Sequence, residues 1–136
     1  MAVFNKFNSF VEAVAEGTHN LGSNQLTLAL SNVAPTASNS VLADITQITY
    51  TNLSTRNLTT TSSSQTGGLY KLVVADTTLT STGGSTGPFR YVVVYNSTAA
   101  GGPLIGWYDY GTSLTLNSGE SLAVDFDQTN GLLTLQ

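Results

Sequence analysis

From Arg56 onward, runs rich in Val, Leu, Thr and Tyr are cut by Gly- and Asn-bearing turns about every 8–12 residues. That spacing suits short antiparallel strands and leaves no room for long helices. It predicts strands over 58–63 and 69–75, joined as a hairpin by Gln65-Thr66-Gly67-Gly68, and a further strand over 77–82. Residues 88–96 carry the strongest strand, because Tyr91-Val92-Val93-Val94-Tyr95 is apolar on both faces and belongs in the middle of a sheet. Strands over 104–110, 114–116, 121–127 and 132–135 complete the set, with turns at Asn117-Ser118-Gly119 and Asn130-Gly131. Upstream, Gln25-Leu26-Thr27-Leu28-Ala29-Leu30-Ser31 alternates strictly and reads as one more strand.

Only one segment has clear helical spacing. Phe7, Phe10, Val11 and Val14 stand at i, i+3, i+4 and i+7, so an amphipathic helix is expected over about 6–16, capped by Asn5 and stopped at Gly17. Val41, Leu42, Ile45 and Ile48 fit a short helix or an irregular packed segment equally well. With no repeat, linker or break in composition, the 136 residues read as one domain, 1–136, with a β core over about 25–135. The fold class is mainly β: an antiparallel β-sandwich or jelly roll with one N-terminal helix. Val92, Val94, Leu104, Trp107, Leu122 and Val124 are expected within a single continuous core.

Charge narrows the functions open to such a fold. Only 9% of residues are charged, against roughly a quarter in an average soluble domain. The polar surface must come instead from 21 Thr and 15 Ser. Lys6, Arg56, Lys71 and Arg90 are too few and too scattered to grip a phosphate backbone, and only acids (Asp109, Glu120, Asp125, Asp127) follow Arg90. No nucleic-acid partner is expected. No apolar run approaches a membrane span, the N-terminal residues lack the unbroken apolar stretch of a signal peptide, and there is no Cys. Synthesis in a reducing cytoplasm without membrane association is the expectation. The three Asn-x-Ser/Thr sequons are then matters of composition.

Few residues suggest chemistry. His19 has the types of role open to any histidine, base or metal ligand, but its place after the helix reads as a C-terminal cation favoured by the dipole. The Gly pairs at 67–68, 83–84 and 101–102 lie between strands and lack the Lys of a phosphate loop. Asp125 and Asp127 share a strand face and, with Asp109 or Glu120, offer hard oxygens to Ca²⁺ or the two carboxylates of a glycosidase. A solvated acidic face accounts for them more simply, so no metal, cofactor or catalytic residue is assigned. Trp107, Tyr108 and Tyr110 around Asp109 could stack a sugar. One core Trp with tyrosines at a sheet margin or interface is the simpler reading.

Six segments carry a resemblance. They are Lys6-Phe7-Asn8-Ser9-Phe10-Val11-Glu12, His19-Asn20-Leu21-Gly22-Ser23, Val41-Leu42-Ala43-Asp44-Ile45-Thr46, Gly87-Pro88-Phe89-Arg90-Tyr91, Pro103-Leu104-Ile105-Gly106-Trp107-Tyr108-Asp109-Tyr110-Gly111 and Val124-Asp125-Phe126-Asp127. In this order they resemble a family of small virion structural proteins of tailed bacteriophages and prophages, of the head decoration or cement type. The resemblance implies a non-catalytic β module on the exterior of the capsid, bound to the major capsid protein and to itself as a homotrimer. Phe7, Phe10, Arg90, Tyr108 and Tyr110 are then the candidate interface residues. A tail tube or tip protein is the alternative within that setting; a carbohydrate-binding module of a receptor-recognising fibre is the alternative outside it.

Overall fold

The computed structural model describes residues 2–136. Along the chain these form β1 (Asn5–Lys6), α1 (Ser9–Ala15), β2 (Leu26–Ser31), a 3₁₀ turn (Leu42–Asp44), β3 (Thr60–Thr66), β4 (Leu69–Val74), β5 (Thr77–Thr80), β6 (Thr86–Asn96), β7 (Leu104–Leu116), β8 (Ser121–Val124) and β9 (Leu133–Leu135). The protein is mainly β with antiparallel sheets and one helix, as the turn spacing predicts. A four-stranded sheet in the order β1-β7-β6-β2 is opposed by a three-stranded sheet, β3-β4-β9, and a two-stranded sheet, β5-β8.

The alternation in β2 and the double-sided apolar run in β6 determine how this sandwich fills. Leu28 pairs with Val94 and Leu30 with Val92, and all four point into the space between the sheets. They meet Leu72 and Val74 of β4, Leu79 of β5, and Phe89, Ile105, Leu116 and Phe126 there. The neighbouring residues, Ala29 and Val93, point the other way into a second cluster with Phe7, Ile45, Tyr95 and Leu104. Two cores therefore replace the single core expected. A strand apolar on both faces needs cover on both, and the chain before β2 and the loop after it supply the second. Val92, Val94 and Leu104 are buried as expected, whereas Trp107, Leu122 and Val124 are only partly buried.

The helix is shorter than its spacing suggests. Asn5 and Lys6 are a strand opposite Trp107 and Gly106, and helical turns begin only at Ser9. Gly106 makes this strand possible. A Cβ there would press on the Phe4 ring and come within 2.6 Å of the Asn5 carbonyl oxygen. The Asn5 side chain donates to the Val3 and Trp107 carbonyls rather than capping the helix. Gly17 does end it, at φ +76°. The apolar stripe is split as a result: Phe7 enters one core, Phe10 the other, and Val11 is left 55% exposed.

Residues 104–110 and 114–116 prove to be one strand, β7. A bulge with Gly111 at φ +97° carries it past a register shift opposite Phe89–Tyr91. β8 stops at Val124, short of the expected 127, and Leu58 lies outside β3, its amide donating to the Leu26 carbonyl of β2 beside the Thr27–Asn57 bridge.

Candidate functional site

His19 is buried, and its ring lies 5.3 Å from that of Phe10. The Asn96 side-chain amide donates to His19 Nδ1 at 3.1 Å and to Asn24 Oδ1 at 2.8 Å. With Nδ1 an acceptor, the proton sits on Nε2, which meets no partner among the described residues. Burial holds the imidazole below its usual pKa. The expected helix-end cation is thus a neutral ring, because the end of β6 rather than solvent surrounds it.

The acids are separated by the fold. Asp109 on β7 accepts from Arg90 Nε at 2.8 Å and from a terminal guanidinium nitrogen at 3.0 Å. The hydrogen bond from Arg90, and then that from the Gly111 amide, hold its carboxyl below the usual range. Asp127 closes the turn before β9, accepting from the Thr129 and Asn130 amides at 2.9 and 2.7 Å, with the Asn130 bonds lowering its pKa most. Asp125 is exposed. Among the described residues no three His or acidic side chains gather where a metal would need them.

The candidate interface residues divide. Phe7 and Phe10, expected at an interface, lie inside the chain's own fold at 0% and 3% exposure, because Phe7, between β1 and α1, enters one core and Phe10, on α1, the other. Arg90 is held across the strands by Asp109. Trp107 packs on Phe7 at 4.6 Å between ring centroids, and Tyr108 packs on Phe4 at 5.2 Å. Burial pushes the Tyr108 hydroxyl up to about 12, with Asp127 adding to it. Tyr110 is 47% exposed, beside an apolar recess lined by Val92, Leu122 and Val124. A second apolar groove runs between α1 and β9, lined by Phe4, Val11, Val14, Leu133 and Leu135.

The strand exposed along nearly its whole length is β3, which in the sequence reads only as half of a hairpin. β3, Thr60-Thr61-Ser62-Ser63-Ser64-Gln65-Thr66, pairs with β4 on one side only. From Thr61 to Thr66 every residue is exposed, and none of the seven is charged. Among the described residues no backbone hydrogen bond reaches its outer edge. Ser63 Oγ meets Tyr70 Oη at 2.8 Å, and Thr61 Oγ1 donates to the Val73 carbonyl at 3.3 Å, so the hydroxyls reinforce the hairpin. A run of hydroxyl residues beside an apolar strand is the signal that marks such an edge.

Comparisons with protein-family models, curated proteins and solved structures find no match to this chain.

Proposed function

We propose that this protein is a structural subunit of a tailed-phage virion, added to the outside of a preformed head shell and stabilising it by binding rather than by catalysis. The observation that carries the reading is the accessible surface itself. Its long open strand is neutral and hydroxyl-rich, apolar recesses lie beside Tyr110 and between α1 and β9, and cations are few. Such a surface suits close packing against neighbouring proteins, where modest contacts gain from repetition. The six segments of resemblance support the same setting. The acidic balance, −4 overall, disfavours a seat against packaged nucleic acid and favours the exterior. The partners are then the major capsid protein and further copies of the chain.

The test is to mix purified protein with expanded shells lacking it and to measure occupancy and the temperature of disruption. Saturable binding with a raised disruption temperature is expected, since a ligand of the assembled state stabilises that state. A protein that ignores shells and instead forms tubes or co-purifies with tails belongs to the tail.

A further inference from the structure

We infer that the outer edge of β3 is a self-pairing surface, at which two copies join antiparallel along Thr60–Thr66 to make one continuous six-stranded sheet, β9-β4-β3-β3-β4-β9. This goes beyond the virion reading, and it sets a two-fold pair against the homotrimer that the resemblance implies; the shell-binding test can succeed or fail whichever holds.

An open edge offers unpaired N–H and C=O groups to any strand, and folded proteins block such edges with charge, proline, bulges, brevity or a covering loop. The other edges here use those devices. β2 is covered by the chain that follows it, through bonds from the Leu28 amide to Arg56, the Ile48 amide to Leu30 and the Leu58 amide to Leu26. β5 is covered by Leu53 and Ser54. β1, β8 and β9 are only 2, 4 and 3 residues long. Past Trp107, β7 is interrupted by the Gly111 bulge and carries Asp109. β3 is 7 residues long and has neither charge nor proline; its one irregularity, between Thr60 and Ser62, lies at its base.

The side chains specify the occupant. In a two-fold pairing centred on Ser63, Ser63 faces Ser63, Ser62 faces Ser64, Thr61 faces Gln65 and Thr60 faces Thr66. Hydroxyls and amides donate and accept at once, so each of these pairs is complementary to itself. A charged edge would meet its own charge. The chain carries −4 overall, so two copies meet with least repulsion along a neutral strand. The nearest cation, Lys71 on β4, donates back to the Thr129 carbonyl at 2.8 Å within its own protomer. An apolar strand from another protein would find no apolar side chain on β3 to pack against. The contact uses the same edge on both copies and therefore closes at two.

The experiment uses the full chain, with its mass measured by sedimentation equilibrium from micromolar concentrations up to about 1 mM, the range of weak association. Twice the 14.2 kDa chain mass is expected. Ser63→Lys sets lysine against lysine and should weaken the pair about tenfold or more, while Ser63→Thr keeps it. Hydrogen exchange on the unaltered protein supplies a second readout: outer-edge amides of β3 should slow as concentration rises. A protein that stays monomeric, forms a trimer, or forms a dimer indifferent to Ser63→Lys with no slowing in β3 would overturn the inference.

Discussion

β2 and β3 differ by one residue in length, yet all six residues of β2 are buried and six of the seven in β3 are exposed. β2 is placed by what it touches. Its leucines enter the space between the sheets, and its alternate residues face the second core. β3 is placed by its hairpin register with β4 and by a few hydroxyl bonds. The contrast separates two tasks: one strand makes the fold cohere, and the other is held out from it as a surface.

Substitutions in each region measure how far the two tasks are separated. Leu28→Ala, at a fully buried site, should cost about 2–5 kcal/mol in a denaturant titration. A loss below about 1 kcal/mol would mean that β2 is not the organising strand. Trp107→Ala should cost less, about 2 kcal/mol, because the ring is only partly covered, by Phe7 and its neighbours. His19 sets a pH dependence. Its folded pKa lies below the unfolded 6.5, so the unfolded chain binds the proton more readily. Stability is full above about pH 6.5 and falls as pH drops through that value, by at most about 1.4 kcal/mol per pH unit. Thermal midpoints between pH 7 and 5 read this, and His19→Gln should flatten the slope. Ser64→Ala on β3 should change stability by no more than about 0.5 kcal/mol, the smallest effect of the set. A large loss there would show that β3 belongs to the body of the fold.

Much of the β-sheet framework was legible from local pattern. Alternation marks β2, the five-residue apolar run marks β6, and the Gly-bearing turns at 67–68, 119 and 131 all adopt positive φ. Features set by distant residues were not. Asn5-Lys6 has no strand signature, and β1 exists because Gly106, a hundred positions away, lacks a side chain. His19 looked like a solvated helix end because nothing nearby in sequence announces Asn96. The exposure of β3 escaped for a related reason. Whether a strand lies at an edge depends on which strands find it in three dimensions, and neither β9 nor any other strand takes its outer side.

The β1–β7 register has a consequence in time. Asn5 cannot find Trp107 until that residue has been synthesised, whereas β3 and β4 need only a short local turn between Thr66 and Leu69. At roughly 5–20 residues per second, about 2–7 s separate the completion of the hairpin from the arrival of the strand that anchors the N-terminal segment. During that interval a growing chain presents the neutral edge of β3 without the rest of its fold. β2 waits as well, because the residues of β6 that pair with it, Tyr91 to Asn96, follow the hairpin, so an apolar strand and a neutral one both stand unpaired until the four-stranded sheet can close.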